Sequence, residues 1–374
     1  MATELASAAN QRIVENLAGR LRRRQVVGSR ETALETVLVL RQVVSKARFS
    51  NIDQLVEIIR SVGRKLVEAQ PKEHTVGNTV RKVLHHIREE YHTASQGTAA
   101  ALTVKPALSI AKFVSQGQPR KQVTPQKVLN ETRGTLKENN PDDPDAFART
   151  LKPVLMEAIQ DVLDELETVY DNISKNAKDH IHSDEIILTI GKSSTVKAFL
   201  KAAASHRNYT VIVADTAPSY SGQDMAQSLS SAGISTVLIP DSSIYALMSR
   251  INKVIIGAHA ILANGGMFAT TGSLVAATAA RAHSTPVVVC SGQFKLTPQW
   301  NLYHEYGALD FADPDSVLGF EEGDLVDKVD VVNPFYDYVR PEMIDAYVTN
   351  DGDHPPSSVY RLIKEAYDDE DYQL

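Results

Sequence analysis

Ile186-Ile187-Leu188-Thr189-Ile190, the segment Thr195 to Ala204, and Thr210-Val211-Ile212-Val213 decide the fold of this chain. The first and last runs are short, apolar and rich in β-branched side chains, and the stretch between them is helix-like in composition. The same unit recurs downstream. Thr236-Val237-Leu238-Ile239, Lys253-Val254-Ile255-Ile256 and Pro286-Val287-Val288-Val289 read as strands, and 223–232, 244–250 and 272–283 read as helices. Strands that are apolar throughout must be covered on both faces, and strands alternating with helices pair in parallel through right-handed crossovers. Residues 185–374 are therefore expected to form an α/β domain of Rossmann-like type with a mainly parallel sheet.

Upstream the period changes from 2 to 3.6. Leu55, Ile58, Ile59, Val62 and Leu66 fall on one face of a helix, as do Val76, Val80, Val83, Leu84, Ile87 and Tyr91. Ala33, Val37, Leu40 and Val44 form an earlier, weaker stripe. Gly28-Ser29 and Ser50-Asn51 punctuate these segments and offer N-caps. Residues 1–92 thus read as an N-terminal helical domain. Residues 93–150 hold Pro106, Pro119, Pro125, Pro141 and Pro144 among scattered Gln and Ser, a composition that resists a packed core and reads as a partly disordered insertion. Leu155, Ala158, Ile159, Val162, Leu166, Val169 and Ile173 restore helical spacing, so 151–184 is expected to be a connecting helix.

The chain has 374 residues, 43% hydrophobic and 23% charged, as a soluble globular protein does. No apolar run is long enough to span a bilayer, and Met1 to Asn10 lacks the pattern of a secretory signal. Cys290 is the lone cysteine and has no internal disulfide partner, which fits a reducing compartment and a cytoplasmic location. Net charge is −7, unevenly spread: residues 1–92 hold 16 Lys+Arg against 10 Asp+Glu, and the rest 23 against 36. The basic half intersperses carboxylates, and Arg22-Arg23-Arg24 has no aromatic neighbours on which bases could stack, so direct nucleic-acid binding is not expected. No membrane partner is expected either.

In an open α/β sheet, ligands bind at the carboxyl ends of the strands. Those ends are Gly191-Lys192-Ser193-Ser194, Ala214-Asp215-Thr216-Ala217-Pro218, Pro240-Asp241-Ser242-Ser243 and Gly257-Ala258-His259. No G-x-G-x-x-G follows the first strand, and Ile186 stands where a phosphate-binding P-loop needs its first glycine. His85-His86 and the pair His180, His182 lack a ligand pattern for a metal, and the His180, His182 pair reads as a structural or interface element. Phe335, Tyr336, Tyr338 and Tyr360 are aromatic groups that serve either the core or a subunit interface. Asp368-Asp369-Glu370-Asp371 reads as a solvated acidic tail. Neither cofactor nor metal is expected.

Taken together, the strand ends resemble the superfamily shared by sugar-phosphate aldose–ketose isomerases and the alpha, beta and delta regulatory subunits of eukaryotic initiation factor 2B. Gln70-Pro71 with Thr75-Val76-Gly77-Asn78, Asp179-His180-Ile181-His182-Ser183, Phe294-Lys295-Leu296-Thr297-Pro298 and Asn333-Pro334-Phe335-Tyr336-Asp337-Tyr338-Val339 resemble the beta branch. The likeness covers roughly 11–92 and 151–371. As aligned, the isomerases carry a cysteine, an arginine and an aspartate where this chain has Gly191, Ala217 and His259, so the acid–base pair and phosphate clamp of that chemistry are missing. Asp241 matches, but reads equally well as a helix N-cap. The resemblance implies a non-catalytic regulatory and scaffold subunit of the guanine-nucleotide exchange complex for initiation factor 2. An isomerase is the alternative.

The implied partners are delta-like, alpha, gamma and epsilon subunits, with catalysis in the last two. Initiation factor 2, including its phosphorylated alpha subunit, is the implied target. Under that reading Arg60, Arg64, Lys65, Arg81, Lys82 and Arg88 are the candidate partner-binding cations, because helical spacing turns most of them away from the apolar stripes.

Overall fold

A computed structural model of the chain describes residues 8–49, 51–99, 144–300 and 310–374. Among the described residues five long helices come first: α1 (Ala8–Arg22), α2 (Ser29–Lys46), α3 (Ile52–Ala69), α4 (His74–Ala99) and α5 (Pro144–Ser174). Asn51 caps α3 by accepting the amide of Asp53 at 3.3 Å, as its side chain favours. α4 runs on past 92 to Ala99. Of 93–150, read as a partly disordered insertion, 93–99 continue α4 and 144–150 open α5, whereas 100–143 lie outside the described residues. The short α6 (Ala177–His180) then leads into the sheet.

The sheet elements follow as β1 (Ile186–Ile190), α7 (Ser194–Ala204), β2 (Thr210–Ala214), α8 (Ser221–Ser230), β3 (Ser235–Ile239), α9 (Ile244–Leu247), β4 (Lys253–Gly257), β5 (Ala260–Leu262), β6 (Met267–Thr270), α10 (Ser273–Ala282) and β7 (Val287–Cys290). After them come β8 (Leu296–Thr297), β9 (Tyr336–Val339), β10 (Ala346–Thr349), β11 (Gly352–His354) and α11 (Val359–Ala366). Seven strands form one sheet in the order β11-β10-β7-β4-β1-β2-β3, all parallel except that β11 returns antiparallel to β10. The order runs outward in one direction from β1 and in the other from β4, so the switch point lies between these two strands. A second sheet, β8-β5-β6-β9, was not expected, because its strands are two to four residues long and fall below any periodic signal.

Burial follows the strand alternation. Ile187, Val211, Val213, Ile255 and Val288 join a core with the helices, built on Leu17, Leu40, Ile59, Leu84 and Leu166. Leu188, Ile212, Val254, Ile256 and Val289 face the opposite core with Ala276, Ala280 and Tyr347. The helical half and the sheet therefore share one continuous core. The expectation that every strand is covered on both faces holds for β1, β2, β4 and β7 but not for β3, where Val237 and Leu238 are 45% and 46% exposed.

Candidate functional site

The switch point opens into a cleft of about 260 Å³ lined by Lys192, Ser193, Thr195, His259, Lys295 and Tyr336. Gly191 takes φ +63, which a residue with a Cβ adopts only under strain, and its amide is bound by the Thr216 hydroxyl at 2.9 Å. Ser193 caps α7 by accepting the Val196 amide at 3.3 Å. Asp241 does not cap its own helix. Its two oxygens instead accept the amides of Thr216 and Ala217 at 2.9 and 2.7 Å, fixing the loop after β2.

His259 is occupied internally. Its ring stacks on Tyr336 with centroids 3.9 Å apart, and its Nε2 donates to the Lys72 carbonyl at 3.3 Å. Burial holds its pKa below the ordinary imidazole range, so the ring is neutral and its Nε2–H pins the helical half to the sheet. Lys295 donates to the Ala258 carbonyl at 2.7 Å, and burial depresses its ammonium to about 8. Gly191 has no side chain, Ala217 has a methyl group, and His259 is stacked and hydrogen-bonded. Gly191, Ala217 and His259 thus present no acid–base pair to the cleft. Among the described residues no three metal-ligating side chains converge.

The sequence stretches that carried the resemblance meet at internal seams. Asn78 Nδ2 donates to the Phe294 carbonyl at 3.3 Å, joining α4 to the segment before β8. Asp337 caps α10 by accepting the amides of Gly272 and Leu274 at 2.8 and 3.1 Å. His180 Nε2 lies 2.9 Å from Asp353 Oδ2, and the carbonyl of His180 accepts from Lys253.

Four of the candidate interface residues also make contacts within this chain. His180 bridges α6 to β11. Tyr336 covers His259, and Tyr338 accepts from Asn264 Nδ2 at 2.7 Å. Phe335 lies under the Arg24 guanidinium at 4.8 Å. Each of these four is half-buried and has a partner within the fold. His182 and Tyr360 lie at the surface. Apolar side chains that were not foreseen are exposed: Val237 and Leu238 on the edge strand β3, Tyr220 beside α8, Tyr245 on α9 and Val275 on α10. Tyr245 and Val275 are 60% and 55% exposed. A continuous apolar run signals burial without telling whether the cover comes from this chain or another, so periodicity could not mark β3 as exposed.

The cation reading is corrected. Asp371 is fully buried and is not part of a solvated tail. Arg60 binds its Oδ1 at 2.8 Å, and Arg88 reaches both of its oxygens and Asp368 Oδ2, the latter at 2.7 Å. Arg81, 6% exposed, donates to the carbonyls of Asp371 and Tyr372 at 3.0 and 3.1 Å. Lys82 pairs with Glu165 at 2.5 Å. Four of the six cations are therefore committed within the chain, drawn in by carboxylates and carbonyls far away in sequence. Arg64 and Lys65 pair with Glu57 and Glu15, each at 3.0 Å, and remain near solvent.

The family model described as the initiation factor 2 subunit family matches residues 25–356. The chain is 40% identical over 379 residues to translation initiation factor eIF2B subunit beta of Schizosaccharomyces pombe, covering 96% of each. Its structure is similar to eIF2B beta from Chaetomium thermophilum, with a TM-score of 0.71, 28% identity, and 99% of this chain and 96% of that chain covered. It is also similar to a chain of the tetrameric eIF2B-beta2-delta2 complex from C. thermophilum, at a TM-score of 0.66 and 28% identity, covering 95% and 94%.

Proposed function

The chain belongs to the initiation factor 2 subunit family, and from that premise we propose that it is a non-catalytic regulatory subunit of the guanine-nucleotide exchange complex for initiation factor 2. Its part is binding and positioning: a delta-type subunit on the sheet side, and initiation factor 2 on the helical side. Exchange chemistry belongs to the gamma and epsilon subunits, and the alpha subunit completes the regulatory set. A cytoplasmic location goes with that role. Among the described residues no helix is long and apolar enough to cross a membrane.

One observation carries the reading. The edge strand β3 leaves Val237 and Leu238 about half exposed in a sheet whose other long strands are buried. An apolar edge of this kind invites pairing with another chain, and a partner that covers it removes both the exposed area and the risk of aggregation. The similar solved chain in a beta2-delta2 tetramer supports a delta-type occupant.

The experiment is co-expression with a delta-type subunit followed by native mass measurement. A stable complex is expected for the wild-type chain, and Val237→Asp/Leu238→Asp is expected to abolish it. These side chains lie outside the core, so the variant keeps its fold, which circular dichroism checks. A wild-type chain that stays monomeric and well behaved at micromolar concentration refutes the reading, as does a variant that still assembles.

A further inference from the structure

Between Asp310 and Phe335 the chain makes an excursion that returns at the start of β9. The stem is closed by a bridge of Phe311 to Pro334, and by Ala312 N donating to Asn333 O at 2.7 Å and Phe335 N to Asp310 O at 2.9 Å. Asn333 Nδ2 ties the base by donating to Asp313 O at 3.0 Å and Ser316 Oγ at 2.8 Å. Asp315 Oδ1 accepts the Phe320 amide at 3.1 Å and turns the backbone. The excursion is thus held as a projecting loop, and from Phe311 to Val332 no side chain is buried.

What it projects has two components. Phe320 is 77% exposed, and Val317, Leu325, Val329 and Val332 are each about half exposed. Large apolar groups at this density on a short loop mark an interaction surface. Between Asp313 and Asp330 the loop also carries seven carboxylates against Lys328 alone. Asp313 and Asp315 are used in its turns, whereas Glu321, Glu322, Asp324, Asp327 and Asp330 make no side-chain hydrogen bond or ion pair within the described residues.

We propose that the loop 311–332 is a docking surface for a basic amphipathic segment of a partner protein. The exposed apolar side chains require an apolar counterpart, and the free carboxylates beside them require cations alternating with it. Nucleic acid and anionic lipid carry the wrong sign and are repelled. A neutral apolar partner leaves the carboxylates desolvated without pairs, which opposes binding. The loop is no part of the sheet that β3 edges, and it serves a contact other than the one proposed above for the delta-type subunit.

The test uses the full-length chain in its co-purified complex and three fluorescent probes. They are a leucine–lysine peptide patterned as an amphipathic helix, the same peptide with every leucine replaced by serine, and a single-stranded RNA. The wild-type chain is expected to bind the leucine–lysine peptide about tenfold or more tightly than the serine–lysine peptide, and to bind RNA least. Phe320→Ser/Leu325→Ser is expected to remove that difference and leave the serine–lysine affinity unchanged. Glu322→Gln/Asp324→Asn/Asp327→Asn is expected to weaken both peptides and flatten their salt dependence. All of these side chains are exposed, so an unchanged melting temperature verifies each fold. Equal wild-type affinity for the two peptides overturns the proposal, as does binding that survives both sets of substitutions. RNA bound as tightly as the leucine–lysine peptide also overturns it.

Discussion

Replacing Asp371 with Asn tests the packing argument most directly, because the substitution keeps the shape and removes the charge. In the native chain Asp371 is fully buried, with Arg60 at 2.8 Å and Arg88 on both of its oxygens, and those two guanidinium groups are only 22% and 18% exposed. Asparagine leaves two largely desolvated cations with one charged partner fewer. Breaking a buried pair from one side costs about 3–5 kcal/mol, most of it from the charge left behind. The Arg81 bonds to the carbonyls of Asp371 and Tyr372 do not depend on the carboxylate, so the tail is expected to loosen while the sheet stays folded. At about 1.4 kcal/mol per factor of ten, the opening equilibrium of the tail rises by roughly two to three and a half orders of magnitude. Hydrogen exchange followed by mass spectrometry, over peptides covering 359–374 and 81–92, reads that change in the co-purified complex. Asp369→Asn is the control, since Asp369 pairs with Lys364 at the exposed surface and little change is expected. Exchange in Asp371→Asn that stays within about tenfold of wild type refutes the reasoning, because 1.4 kcal/mol is far below the cost of an abandoned buried charge.

Acidification is expected to destabilise the chain well before its carboxylates titrate. Burial holds His74 at about 3, and also lowers His86 and His259, so the folded state excludes protons that the unfolded state accepts below about 6.5. Stability then falls with pH by up to about 1.4 kcal/mol per unit for each such ring, and a flat melting temperature between pH 7.5 and 5.5 counts against it. Gly222→Ala places a Cβ 1.9 Å from the Ala214 carbonyl oxygen and is expected to cost about 3 kcal/mol or prevent soluble expression, whereas an unchanged urea midpoint contradicts the close approach. Purified chain is expected to turn over neither ribose-1,5-bisphosphate nor methylthioribose-1-phosphate, and specific turnover of either removes the non-catalytic reading. Arg64→Glu/Lys65→Glu, at the two cations left near solvent, is expected to weaken phosphorylated initiation factor 2 several-fold more than the unmodified form at fixed ionic strength, and equal losses reduce their role to general steering.

The fold was largely readable because its strongest signals are periodic. The stripe Leu55, Ile58, Ile59, Val62 and Leu66 is buried along α3, and the five apolar runs from Ile186 onward became β1, β2, β3, β4 and β7. Hydrophobic burial dominates such elements, and burial leaves a period in the chain. What escaped has no period to leave. β8 holds two residues, and β9 lies in an aromatic run that reads as motif before it reads as strand.

The candidate site was harder for a different reason. A side chain's exposure is decided by neighbours distant in sequence, and Arg60, Arg81 and Arg88 show how far that reaches. Each lies on a helix where spacing suggests an outward direction, yet Asp371 and its carbonyl neighbours, some three hundred residues away, gather all three. A guanidinium drawn to buried acceptors gives up a solvent shell it holds weakly, so Arg is the cation most readily recruited inward. Lys65, paired with Glu15 at the rim, shows the opposite outcome on the same helix as Arg60. Covering obeys the same logic in reverse. The run Thr236-Val237-Leu238-Ile239 is as apolar as the buried strands beside it, but it ends the sheet, and among the described residues no strand lies beyond it. Sequence period states that a residue is to be covered, and topology alone states by whom. At β3 the described residues leave an apolar run open that reads like a core strand, and this is why the proposed partner is assigned to that edge.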